Sequence, residues 1–248
     1  MTAVGRIRAT ALAAGRSFLR RRTAVFFTFL FPTILILIFG VLVRTDAAGG
    51  GLFTRSPGYY VPGYLATVVL FTPLSRVGSE VARARAGNRF GKYATTPLTR
   101  FEWLAAQVLV NLVVVSLAAV LILALTIVLT GAVVSPSPAL VAFVVVGVVL
   151  FCGIGAVLGS VADSQDGAVT ASNTIGLPLL FLSDTFVPPD LLPAWFGPVQ
   201  ALSPLTYFAR GTRAAIVTDA PYATDLGIAL GLAVAGFLLG AVALPWRS

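Results

Sequence analysis

The chain has 248 residues, 58% of them hydrophobic, a mean hydropathy of +0.96 and only 10% charged residues. A soluble domain carries roughly a quarter of its residues as charges, so this composition describes an all-α integral membrane protein with little room for a soluble domain. Histidine is absent, which removes the commonest metal ligand and the usual neutral-pH general base, and the single cysteine, Cys152, excludes a disulfide within the chain. The net charge of +8 rests on sixteen arginines and one lysine, Lys92. In so apolar a chain, bases mark the cytoplasmic side of membrane spans rather than a nucleic-acid surface.

Residues 1–22 are basic, and Val4, Ile7, Ala11, Ala14 and Phe18 recur at steps of three and four. On a helix they share one face, with Arg6, Arg16 and Arg20 opposite. This spacing predicts a cytoplasmic amphipathic helix lying on the membrane surface. The plainer alternative is a basic leader that only sets topology. The basic part is too long for a signal peptide, and the apolar run after it ends without a small-residue cleavage site, so 24–43 reads as an uncleaved first span.

Five more spans follow at 59–75, 103–129, 139–161, 167–185 and 226–246, each near the ~20 residues needed to cross. The second contains Pro62 and Pro73 and is expected to kink. The third is long enough to tilt. The fifth is the most polar, with Ser172, Asn173, Thr174 and Pro178 inside it. Residues 23–248 thus form a six-span transmembrane domain. Thirteen bases fall in the N-terminus, the loop after span two and the C-terminus, against four in the loops after spans one and five. That asymmetry places both termini of a multi-pass cell-membrane protein in the cytoplasm.

Residues 177–213 are nearly as apolar as a span, yet prolines at 178, 188, 189, 193, 198 and 204 break them. Interior prolines forbid one straight helix, and irregular backbone cannot face lipid with its polar groups unpaired. The segment is therefore expected to leave the bilayer, lie in the interface or re-enter against other helices, with Trp195 and Tyr207 at headgroup level, and the count of bases puts it on the outer face. Asp184 is the odd residue of 177–213. It either pairs with Arg210 or Arg213 or snorkels to the outer interface.

The loop 87–100, GNRFGKYATTPLTR, fails the phosphate-loop pattern: three residues separate Gly87 from Gly91, and Tyr93 follows Lys92. Nothing here binds or hydrolyses ATP. Phe90, Tyr93 and Leu98 among bases instead form a short amphipathic element that ends at Pro97. It suits docking to a partner protein, or more plainly a basic loop on anionic lipid.

At this point the chain resembles the ABC-2 transporter permeases, in the branch of drug-resistance and polyketide-export permeases. The resemblance rests on RTAVFFTFLFP at 22–32, on Gly87 followed by TTPL at 95–98, and on FLSDTF at 181–186, LPAW at 192–195, SPLTY at 203–207 and Arg213. It spans essentially the whole chain. Two departures stand out. The family often has acidic residues around the loop glycine, where this chain has Ala84, Arg85, Ala86, Asn88 and Arg89. It usually has a small residue where this chain has Asp184.

The resemblance implies the membrane half of an exporter. Two permease subunits, identical or different, pair with two ATP-binding subunits that hold ATP and Mg; this chain carries no cofactor, metal or catalytic residue. Arg89, Phe90, Lys92, Tyr93, Thr96, Pro97 and Leu98 would couple to the ATPase, and the surface helix would add a second contact. Thr170, Asn173 and Thr174 would line a substrate path at the dimer interface, or alternatively pack helix against helix. Residues 186–207 would form a re-entrant helical hairpin that closes the path on the outer side, where Asp184, Phe186, Trp195, Tyr207, Arg210 and Arg213 would form an outer gate. The apolar walls lean toward a hydrophobic drug, lipid or glycolipid-like cargo.

Two rival classes are weighed against this. An ATP-independent carrier or channel should bury ionisable residues within spans, and Arg76, Asp163, Asp166 and Asp184 all lie near ends. An intramembrane enzyme needs a nucleophile and base or metal ligands, and Asp163 with Asp166 reads better as a hydrated turn.

Overall fold

The computed structural model describes residues 2–38, 55–135, 137–186, 188–189 and 192–246. Residues 39–43 of the first expected span and 187, 190 and 191 of the expected hairpin lie outside these. Every regular element among the described residues is helical: α1 Ala3–Leu19, α2 Arg22–Ile36, α3 Pro57–Ala86, α4 Arg89–Ala94, α5 Arg100–Thr130, α6 Pro138–Val161, α7 Gln165–Leu182, α8 Gly197–Leu202, α9 Pro204–Arg213 and α10 Ala223–Ala243. Of these, α3, α5, α6 and α10 are long and apolar enough to cross a bilayer. Within the described residues α2 is too short, and α7 has the length but not the apolarity, because polar residues occupy its middle.

The bundle is built around α3 and α6. Glycines let their backbones meet: a Cβ on Gly155 would press on the Leu74 backbone, and one on Gly159 would collide with the Gly78 carbonyl. On another face of α6, Gly153 meets Gly236 and Gly240 of α10. Small residues four apart permit this close approach, where dispersion replaces the hydrophobic effect as the cohesive force in lipid. The outer faces of α5 and α10 stay uncovered and apolar, with Val113, Val120, Leu239 and Val242 exposed.

Two ends of the bundle are distinct. One gathers α1, α4, the α6–α7 turn and the end of α10. The other gathers the start of α3 and α9: Arg213 donates to the Tyr59 carbonyl, and Ser135 donates through its amide to Ile216. The second span was expected to stop near Ser75, yet α3 runs to Ala86. Its bases find partners inside the protein. Arg85 donates to the carbonyls of Ser160 and Ala162, the unpaired C-terminal groups of α6, and Arg83 donates to Gln165 at 2.9 Å. The fifth span was expected to reach Thr185, but α7 ends at Leu182, and Ser183 turns its hydroxyl back onto the Leu180 carbonyl at 2.7 Å.

The N-terminal segment is helical, but its apolar stripe faces the protein from Ala11 onward, while Val4 at its start stays exposed. Phe18 packs with Val110 and Val114 of α5, joined by Ala11 and Ala14. Arg6, expected on the solvent side, pairs with Glu102 through hydrogen bonds at 2.5 and 3.1 Å. That hydrogen bond raises the Arg6 pKa above its ordinary value. Glu102 also closes a capping box with Thr99 at the start of α5, so one carboxylate both starts the helix and anchors α1.

Candidate functional site

Three groups of residues carry the expected functions, and they lie at different heights of the bundle. At the base-rich end, α3 ends at Gly87, and Asn88 takes the left-handed conformation (φ 49°), which asparagine tolerates, to turn the chain into α4. Phe90 is buried, 2% exposed, with its ring 5.4 Å from Trp103 and 5.6 Å from Trp246. Tyr93 stacks on Trp246 at 6.1 Å. These two aromatic residues hold α4 onto the permease body. Arg89, Lys92, Thr96 and Pro97 are exposed on the other side. The Thr95 and Thr96 hydroxyls donate to the Lys92 and Tyr93 carbonyls, which closes the last turn of α4 without a following helix. Leu98, half-buried, lines a shallow groove of about 350 Å³ with Thr96, Pro97, Arg100, Phe101 and Trp246. Arg89 also reaches Glu80 at 3.7 Å, and Glu80 meets Arg21 and Arg83 at 3.7 and 3.4 Å.

In the middle of the bundle, α7 turns Ala168, Ser172, Gly176 and Leu180 inward. The Ser172 hydroxyl bonds the Ala168 carbonyl at 2.7 Å and reaches the Leu74 carbonyl of α3 at 3.4 Å. The alternate positions face out. Thr170, Asn173 and Thr174 are all exposed on one side, continued by Leu177 and Phe181. Among the described residues, none of the three polar side chains hydrogen-bonds within the chain. Asp163 sits exposed in the turn before this helix and Asp166 exposed in its first turn, while Ser164 caps α7 by accepting from Gly167. Asp166 in the first turn complements the helix dipole, which accounts for the pair without chemistry.

At the opposite end, Asp184 is buried at 4% exposure, so it does not snorkel to the interface as one reading had it. It pairs with Arg213, whose Nη1 lies 3.1 and 3.2 Å from the two carboxylate oxygens. Arg213 also donates to the Asp184 carbonyl at 2.8 Å and to the Tyr59 carbonyl at 3.3 Å, and its guanidinium lies 4.0 Å from the centre of the Tyr59 ring. One arginine thus joins the end of α7, α9 and the start of α3. Arg210 goes elsewhere: it forks onto Asp225 at the start of α10 and covers the Tyr207 ring. That hydrogen bond raises the Arg210 pKa further. Phe186 packs beside Tyr64 and over Gly63, whereas Trp195 stands apart, 70% exposed against Phe196. Asp225 was not foreseen. Its signal was an acid in the first turn of an apolar span, within reach of an arginine in the preceding loop.

A profile of the ABC-2 type transporter family matches residues 7–217. The chain belongs to that family. A daunorubicin resistance ABC transporter permease protein, DrrB1, from Streptomyces coeruleorubidus is 28% identical over 240 residues, covering 90% of this chain and 81% of that protein. Membership makes this chain a multi-pass membrane permease whose partner is an ABC ATPase. The match runs through α1, the α3–α5 turn, α7 and the Asp184–Arg213 pair, and ends ahead of Asp225 and Trp246.

Proposed function

We propose that this permease is the membrane half of an ATP-driven exporter, spanning the bilayer six times with α2, α3, α5, α6, α7 and α10 and keeping both termini cytoplasmic. The base-rich end, with α4 and the α6–α7 turn, faces the cytoplasm. The exposed side of α4, built from Arg89, Lys92, Thr96 and Pro97, docks on the ATP-binding subunit, which supplies ATP and Mg. Phe90 and Tyr93 pass its movement to the body through Trp103 and Trp246. Residues 186–207 form the outer hairpin.

The observation that carries the reading is the uncovered strip on α7. Three polar side chains without internal partners, on a helix packed inside a membrane bundle, cannot face hydrocarbon at low cost. A second permease subunit with a route for substrate between the two copies gives them partners. The Asp184–Arg213 pair closes that route on the outer side, because parting α7 from α9 and α3 breaks it. Movement of α4 rocks the spans and alternates access. The relative named for daunorubicin resistance supports a drug as cargo.

Co-purification with the ATP-binding subunit tests this. Lys92→Glu is the cleaner probe than Arg89→Glu, since reversal at 89 also breaks the contact with Glu80. The expected result is loss of association on Lys92→Glu, with the permease still folded. Association that survives this reversal sinks the coupling assignment.

A further inference from the structure

With the expected apolar stripe of α1 turned inward onto α5, a second face is left uncovered. Leu12 and Leu19 are 51% and 69% exposed. Arg8, Arg16 and Arg20 are exposed among them. At 100° per residue these five positions fall within an arc of about 120°. The inward set around Ala14 and Phe18 lies opposite. Among the described residues, Arg8, Arg16 and Arg20 have no acidic partner, in contrast to Arg6 and Arg21, which reach Glu102 and Glu80.

The helix is not free to turn these leucines away. Its inner side is fixed by Phe18 on α5 and by the Arg6–Glu102 pair, and Arg76 lies over the Phe18 ring at 5.3 Å. Two residues after α1 the chain enters α2, whose Phe26 is exposed as well. The uncovered face therefore sits where the first span leaves the bilayer.

We propose that the outward face of α1 binds acidic phospholipid headgroups, with Leu12 and Leu19 seated at the acyl boundary and Arg8, Arg16 and Arg20 on the phosphates. Alternation of leucine with unpaired guanidinium groups is complementary to an anionic leaflet in both respects: apolar area goes down into it and charge meets its phosphates. A protein surface would instead be expected to bring carboxylates against fully paired bases. The consequence is that membrane composition sets how firmly α1 is held, and through Arg6–Glu102 and Phe18 it bears on the start of α5. The inference rests on the reading that the base-rich end lies at a membrane surface. It does not depend on which leaflet that is, nor on the ATPase partner.

The test uses the full chain in vesicles of phosphatidylcholine alone and of equal parts phosphatidylcholine and phosphatidylglycerol. A polarity-sensitive fluorophore is attached to Leu12→Cys; native Cys152 is fully buried and spared by brief labelling. With the charged lipid, the probe should shift to the blue and become accessible to a quencher in the acyl region. High salt should reverse much of this. Each arginine near an anionic surface is worth about a fivefold partition factor, so Arg8→Gln, Arg16→Gln and Arg20→Gln together should weaken the response about a hundredfold in lipid-charge titration. Among the described residues those side chains have no ion-pair partner to lose, so folding is not at stake, and the salt titration on the unsubstituted chain reads the same charge dependence independently. Equal burial in both vesicles overturns the headgroup assignment. A probe that stays in water in both, and is covered only when the ATP-binding subunit is added, gives the face to that subunit and overturns the proposal. Loss of ATPase association in the co-purification experiment would leave this outcome untouched.

Discussion

Replacing Asp184 by Asn removes the charge but keeps the shape of the side chain that Arg213 holds. The pair is closed to solvent, with side-chain exposures of 8% and 5%. Breaking a buried pair costs about 3–5 kcal/mol, because the remaining charge stays in a poor solvent. Asp184→Asn should fall near the lower end, since Arg213 keeps its bond to the Asp184 main-chain carbonyl at 2.8 Å and its place on the Tyr59 ring. Arg213→Met should fall near the upper end: it strands the carboxylate and cuts both carbonyl contacts at once. The double variant should cost less than the sum by roughly 1–3 kcal/mol, as contacting residues are not additive. Equilibrium unfolding in a fixed lipid or detergent, as a four-member cycle, reads this directly. Single costs below about 1 kcal/mol, or strict additivity, would show that the pair does not hold the outer end together.

Three further outcomes follow from the same geometry. Gly159→Val places a branched side chain against the Gly78 backbone, which cannot yield, and should cost at least the roughly 1–3 kcal/mol typical of overpacking; Gly231→Ala, in open space on α10, should be neutral or slightly stabilising by the same unfolding measurement. Thr99→Ala removes the cap of α5 and should cost about 1 kcal/mol, with faster amide exchange confined to the first turn of α5 and to α1. Asn173→Leu on the uncovered face of α7 should change transport or its substrate preference while leaving association with the ATP-binding subunit intact; unchanged transport of every cargo tested argues against a substrate path there.

The helical membrane character was legible in composition and run length: the runs at 103–129, 139–161, 167–185 and 226–246 have their helices within a few residues, whereas α3 overruns the second run by eleven residues and the end of the first lies outside the described residues. What sequence could not supply was which partner each polar residue takes. Arg210 and Arg213 are three apart on α9 and point to adjacent sides, so either could reach Asp184. The choice is made by Asp225, which takes Arg210 from the start of α10. The amphipathic stripes of α1 and α4 were visible as stripes, but not what they cover. In both cases the apolar side meets a residue far along the chain, Val110 and Val114 for Phe18 and Trp246 for Phe90. Two signals were present and passed over. The Thr99-x-x-Glu102 spacing is a capping box, and it marks the start of α5 ahead of the apolar run. The glycine pairs 155/159 and 236/240 announce close helix contacts inside the membrane.

Transport by vesicles that contain this permease with its ATP-binding subunit tests the central claim most directly. Uptake of a hydrophobic drug into inside-out vesicles should require ATP and Mg, and should be lost with Lys92→Glu while the permease remains folded. Uptake that proceeds at the same rate without ATP, or without the ATP-binding subunit, would contradict the account and make the chain a carrier or channel in its own right.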